Sequence, residues 1–160
     1  MEVTLLSTGS ALLSPDRVQT GIHLRDGDRE LLIDCGSGVL HRLGTTHDSL
    51  ASLDTVLLTY HHLDHVAELA KTRLLRGHGS VSVVGPPGTA AVCDALFTVD
   101  GLRGRCELSV SEITPGDTPT RIAGFEVRAV DGTHSKRCFA YRLGDAYRSA
   151  FVESITSSAS

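Results

Sequence analysis

Thr55-Val56-Leu57-Leu58-Thr59-Tyr60-His61-His62-Leu63-Asp64-His65 is the stretch that decides how this chain is read. An apolar run gives way to three imidazoles and a carboxylate, and a helical pattern begins at Val66. Divalent metals such as zinc take neutral imidazole and carboxylate as ligands. A strand-to-helix loop can aim several of them at one point, because its backbone is not tied into a ladder. Asp64 would also suit a helix N-cap. Capping uses Asp64 alone, however, and leaves the histidines unexplained, so the stretch is a metal-site candidate.

Outward from it, strands and helices alternate without a linker. Val3 to Leu6 and Gly21 to Leu24 are short strand candidates. Asp26-Gly27-Asp28 turns the chain into Glu30-Leu31-Leu32-Ile33-Asp34, whose continuous apolar run suits a buried strand. Val39 to Leu43 reads as a short helix. From Val66 the set Val66, Leu69, Ala70 and Leu74 recurs at helical spacing, with Glu68, Lys71 and Arg76 on other faces. Ser80 to Val84 is a strand stopped by Gly85-Pro86-Pro87, and Thr89 to Phe97 a helix. Leu108 to Ile113 and Phe139 to Leu143 read as strands. The alternating Phe125 to Val130 predicts a half-buried strand that delivers His134 on the following loop. Residues 154–160 lack periodicity and are expected to fray.

The 160 residues fit one domain. No apolar stretch nears the roughly 20 residues of a membrane span. Glu2 and the lack of a basic leader argue against a signal peptide, so a cytoplasmic protein without a membrane partner is expected. Cys35, Cys93, Cys106 and Cys138 form no Cys-x-x-Cys pair, and their apolar neighbours favour buried free thiols. A net charge of −4 gives no global attraction for nucleic acid. A local basic patch from Arg73, Arg76, Arg103, Arg105 and Arg121 stays open. His23, His41, His47 and His78 have no partner spacing and read as structural or exposed. Ser10 has no Ser-His-Asp arrangement around it.

The central motif resembles the Thr-His-x-His-x-Asp-His signature of the metallo-β-lactamase superfamily. Other segments are similar to its ribonuclease Z-like branch: Leu6-Ser7-Thr8-Gly9-Ser10-Ala11 with Ser14-Pro15-Asp16-Arg17, then Leu32-Ile33-Asp34-Cys35-Gly36-Ser37-Gly38. Val84-Gly85-Pro86-Pro87-Gly88 and Gly132-Thr133-His134-Ser135 follow in the expected order. The resemblance implies an α/β fold, the metallo-β-lactamase-like αββα sandwich, of which residues 1–153 would supply mainly the N-terminal half. It implies a zinc-dependent hydrolase of phosphodiesters, tRNA 3′ ends among them, with His62, Asp64, His65 and His134 as metal ligands. Asp64 would also be catalytic, holding metal and orienting the attacking water. Asp34 would hydrogen-bond near the metal loop.

Two departures from the family pattern shape the expectation. Tyr60 stands where the first motif histidine belongs, and phenol is a poor neutral ligand. In an extended segment His62 shares a side with Tyr60 while His61 faces away, so His61 is not a ready substitute. Aligning Thr156 with the family's Ser-Gly-Asp-Thr segment puts Ile155 at the bridging aspartate, and no late histidine follows. The family's two zinc ions reduce on this reading to one or none, with very low activity from the chain alone. The alternatives are a non-catalytic remnant, or one half of a split enzyme completed by a second polypeptide. RNA or a small phosphodiester is the expected substrate. A truncated half would leave the faces of the Leu31-Leu32-Ile33 and Phe125-Val127-Ala129 strands bare, which predicts a homodimer or a complementing second half.

Overall fold

The computed structural model describes residues 1–12, 14–46, 53–72, 79–98, 107–116, 118–132, 138–144 and, for backbone only, 149–152. The first sheet contains β1 (Glu2–Ser7), β2 (Gly21–Asp26), β3 (Arg29–Ile33), β4 (Thr55–Leu57), β5 (Ser80–Gly85) and β6 (Glu107–Glu112), in that spatial order. β1, β2 and β3 pair antiparallel, and β3 through β6 pair parallel. The second sheet is antiparallel, β10 (Ser149–Val152), β9 (Phe139–Gly144), β8 (Phe125–Asp131) and β7 (Thr120–Ile122) in order. Helices α1 (Val39–Thr46), α2 (Leu63–Val66) and α3 (Thr89–Phe97) lie among the described residues, with a 3-10 turn at Leu69–Lys71.

Parallel strands covered on both faces read as continuous apolar runs, and both faces here are used. Leu32, Val56, Val81 and Val83 meet Val39, Leu43, Cys93 and Phe97 from the helix side. Leu31, Ile33, Leu57 and Val84 meet Phe125, Val127, Ala129, Phe139, Tyr141 and Leu143 of the second sheet. Fully burying such a side chain is worth roughly 1.5–3 kcal/mol. The expectation of bare Leu31-to-Ile33 and Phe125-to-Ala129 strands is therefore corrected: each sheet covers the other. The apolar side chains left exposed include Val3 and Leu5 on the edge strand β1. Cys35, Cys93 and Cys138 are buried free thiols; Cys106 lies outside the described residues. Among the described residues no helix is long and apolar enough to cross a membrane.

A second correction concerns the helix expected from Val66. The helical turn begins earlier, at Leu63, so that Asp64 and His65 lie inside it. His62, not Asp64, holds the N-cap position. The turn stops because its backbone groups are spent elsewhere. Cys35 N–H donates to His65 O at 2.6 Å, and Glu68 N–H to Cys35 O at 2.9 Å. These bonds tie the turn to the loop after β3 instead of extending an α-ladder.

The interruption also swings Glu68 inward, away from the solvent face that continuous helical spacing implies. Its side chain is buried and accepts from Leu40 N–H at 3.0 Å, at the start of α1, and from Lys71 at 2.7 Å. Burial raises the Glu68 pKa, but the Lys71 bond and the Leu40 and Gly38 amides outweigh it and hold the group below its ordinary value. Orphan amides at a helix start favour such a carboxylate. Glu68→Gln is expected to cost about 1–3 kcal/mol at neutral pH. A depressed folded pKa stabilises above the unfolded value and is lost as pH falls through the folded one. Urea midpoints of wild type and Glu68→Gln should therefore converge as pH drops below about 4.5; a gap constant from pH 7 to 3 would contradict this origin.

Candidate metal centre

Loops at the carboxyl ends of adjacent parallel strands are where α/β sheets build sites. The ends of β3, β4 and β5 bring together Asp34, Thr59 to His65, and Gly85 to Gly88. Asp34 follows β3 in a left-handed backbone conformation, φ 58°, which Asp tolerates better than most residues. Its carboxylate, 1% exposed, is the hub of the loop. Oδ1 accepts from Thr59 N–H at 2.8 Å, and Oδ2 from Thr59 Oγ1 at 2.7 Å and from His65 Nδ1 at 2.7 Å. Gly36 lets the loop carrying Asp64 approach, since a Cβ there would sit 2.0 Å from Asp64 O. From the second sheet, Phe139 N–H donates to Thr59 O at 2.9 Å, and Tyr141 O–H to Leu58 O at 2.7 Å.

His65 is 3% exposed. Burial disfavours its charged form, yet the Asp34 hydrogen bond and the charges of Asp34 and Asp64 outweigh that and raise its pKa. With Nδ1 held by Asp34, Nε2 is the nitrogen that faces Asp64, 3.6 Å from its Oδ2. That distance is too long for a hydrogen bond, while two ligand bonds of about 2.0–2.2 Å would span it. Asp64 is 8% exposed, and its Oδ1 is a buried oxygen without a hydrogen-bond partner. Carboxylate oxygens are rarely buried unsatisfied. An orphaned Asp64 oxygen beside a carboxylate-braced imidazole fits a divalent cation, because metal-ligating histidines almost always donate their second nitrogen to such a group.

The remaining motif residues divide by side. Tyr60 is 1% exposed, and its hydroxyl lies 2.7 Å from His62 Nε2. Its ring packs 4.0 Å from the His62 centroid and edge-on to His65 at 5.4 Å. Tyr60 and His62 thus share a side, as period-two alternation requires. His61 points the other way, its Nε2 2.8 Å from Thr89 Oγ1. Thr89 donates its own proton to Pro86 O at 2.7 Å, so it accepts from His61. Burial lowers the His61 pKa against the pull of Glu112. His134 lies outside the described residues. Among the described residues no three His, Cys, Asp or Glu side chains converge as a metal group.

Sequence reading missed Thr59, Thr89 and Glu112. Glu112 accepts from the Gly88 and Ala90 amides at 3.0 Å and so closes the start of α3. Only the Gly85-Pro86-Pro87-Gly88 turn hinted at these contacts. Arg73, Arg76, Arg103 and Arg105 also lie outside the described residues. Arg121 lines a pocket with Arg29, Asp26 and Glu126, where the charges are mixed.

Two packed sheets thus carry a carboxylate–imidazole cluster at the strand ends. The chain belongs to the β-lactamase superfamily: the family model described as "Beta-lactamase superfamily domain" matches residues 29–152. It is 40% identical over 108 residues to the ribonuclease Z of Mycobacterium marinum, covering 63% of this chain and 39% of that protein. To the ribonuclease Z of Mycobacterium tuberculosis it is 38% identical over 101 residues, covering 63% and 37%. The match thus spans less than half the length of these relatives. These likenesses place it in the ribonuclease Z-like branch. A metallo-β-lactamase fold protein from Bacillus subtilis superposes with a TM-score of 0.76 at 22% identity, covering 93% of this chain and 60% of that one. The short form of human tRNase Z gives 0.74 at 21%, covering 95% and 68%. These two likenesses establish the metallo-β-lactamase fold.

Proposed function

We propose that this chain carries the metal-binding part of a hydrolase acting on phosphodiesters, RNA included. The observation that carries the reading is Asp64, whose Oδ1 is buried without a hydrogen-bond partner while its Oδ2 lies 3.6 Å from His65 Nε2. Asp64 and His65 would hold the cation, with His134 and His62 as the further candidate ligands. Zinc is the ion that this donor chemistry suits. A bound divalent cation supplies an acidified water near neutral pH and neutralises charge developing on a phosphoryl oxygen. The protein's part is orientation. Asp34 fixes the His65 ring and leaves Nε2 as the coordinating nitrogen, and Thr59 locks Asp34 in turn. Asp64 would hold the cation through one oxygen and direct the attacking water with the other.

The relatives named as ribonuclease Z support RNA as substrate, and a cytoplasmic location belongs to the same reading. A non-catalytic remnant, or half of a split enzyme, is the second reading, and Tyr60 in place of the first motif histidine favours it. A homodimer or a complementing second polypeptide retains Val3 and Leu5 on the edge of β1 as a docking strip, which light scattering at micromolar concentration would read.

Hydrolysis of bis-(p-nitrophenyl) phosphate with added zinc or manganese tests the enzyme. The expected result is slow, metal-dependent turnover that Asp64→Ala abolishes. Turnover indifferent to Asp64, or none in any metal, would sink the hydrolase reading for this chain.

A further inference from the structure

His61 is the motif histidine that the candidate centre leaves unused, since it faces away from Tyr60 and His62 toward the start of α3. Its Nε2 lies 2.8 Å from Thr89 Oγ1. Thr89 is fully buried and spends its own proton on Pro86 O at 2.7 Å. Thr89 Oγ1 therefore has only lone pairs to offer. Nε2 must carry the ring proton, and the lone pair of the neutral ring falls on Nδ1. Gly85 makes room for this lock, because a Cβ there would sit 2.5 Å from Thr89 Oγ1.

Nδ1 is left open. Among the described residues it has no hydrogen-bond partner, and it is not one of the buried unsatisfied atoms, so solvent reaches it. A Cβ on Gly88 would stand 3.5 Å from His61 Cε1 and 3.7 Å from Nδ1, so glycine keeps that edge of the ring clear. Burial lowers the His61 pKa against the pull of Glu112 and Asp34, and that pull puts the ring within electrostatic reach of the hub of the loop. A tie between the two loops would need the Nε2 bond alone and leaves the cleared Nδ1 unexplained. A fixed lone pair repels the lone pairs of a phosphate oxygen and accepts from a hydroxyl. In a nucleic acid the hydroxyl on the sugar is the ribose 2′-OH, the group that separates RNA from DNA.

We propose that His61 Nδ1 is the acceptor for a ribose 2′-hydroxyl beside the scissile phosphate, and so selects RNA. The proposal rests on the RNA reading above and deepens it.

Fluorescence anisotropy on chelator-treated protein reads binding without cleavage, at pH 8, where an ordinary histidine is neutral. The probes are a short single-stranded RNA, its 2′-O-methyl counterpart and the DNA of the same sequence. One net hydrogen bond is worth about 2–10-fold in affinity, so wild type should prefer RNA to both analogues by about that factor. His61→Ala should bring RNA binding down to the level of the analogues. A preference that survives in His61→Ala, or none in wild type, overturns the proposal and leaves metal-dependent hydrolysis standing. Failure to bind any of the three overturns the proposal and RNA as substrate together. Imidazole 15N resonances of the wild-type chain keep the test independent of how a variant folds. Nε2 should be the protonated nitrogen, and RNA should move the Nδ1 resonance while its 2′-O-methyl form does not. A protonated Nδ1, or one indifferent to RNA, overturns the proposal.

Discussion

Asp34→Ala should be the most damaging single substitution for folding, at about 3–5 kcal/mol. The carboxylate accepts from Thr59 N–H, Thr59 Oγ1 and His65 Nδ1, all of them buried. Alanine leaves each donor without its acceptor in a place that water does not reach, and unsatisfied buried donors cost about 1–3 kcal/mol apiece. Alanine also inherits a φ of 58° that an L side chain adopts poorly. Against a total stability of about 5–15 kcal/mol, the loss is large enough to lower the urea midpoint sharply. Asp34→Asn should fall between. Its carbonyl oxygen can still accept from Thr59 N–H, while its amide presents a donor to His65 Nδ1, where a donor already stands. The order wild type, Asn, Ala in urea midpoint is the expected result. An alanine variant as stable as wild type would show that the Asp34 network contributes nothing net.

How much of this was legible beforehand depends on the range of the interaction. The parallel strands could be read because burial on both faces leaves apolar runs such as Leu31-Leu32-Ile33. β8 could be read because its Phe125, Val127 and Ala129 alternate with exposed residues. The pairing of Tyr60 with His62 followed from strand periodicity alone. Glu68 was misplaced for a physical reason: continuous helical spacing sent it to solvent, but backbone bonds to Cys35 break the helix and turn it inward. The His61–Thr89 and Glu112–Gly88 contacts join residues 28 and 24 positions apart. No local pattern encodes such a meeting, which exists only once β4, β5 and β6 lie side by side. The role of Asp34 was suggested by family resemblance. Without it, a strand-end aspartate reads equally well as a turn residue.

Asp64→Asn should separate the contribution of this residue to function from its contribution to folding, and with opposite signs. In protein stripped of metal with a chelator, Asp64 keeps a buried carboxylate oxygen with no partner. Its other oxygen stands 3.6 Å from His65 Nε2, too far for a hydrogen bond to compensate. A buried oxygen left without a hydrogen-bond partner opposes folding. The neutral amide relieves that cost, so stripped Asp64→Asn should melt at the same temperature as wild type or above it. Added cation reverses the order. A ligand at about 100 times its Kd stabilises the folded state by about 2.7 kcal/mol. Wild type should gain that much, whereas the variant, with one of its two closest donors neutralised, should gain little. The two melting curves would then cross as zinc is titrated. A variant that loses stability even without metal would make Asp64 a structural residue and remove the main support for a cation at this site. A variant that gains as much from zinc as wild type would place the ion elsewhere.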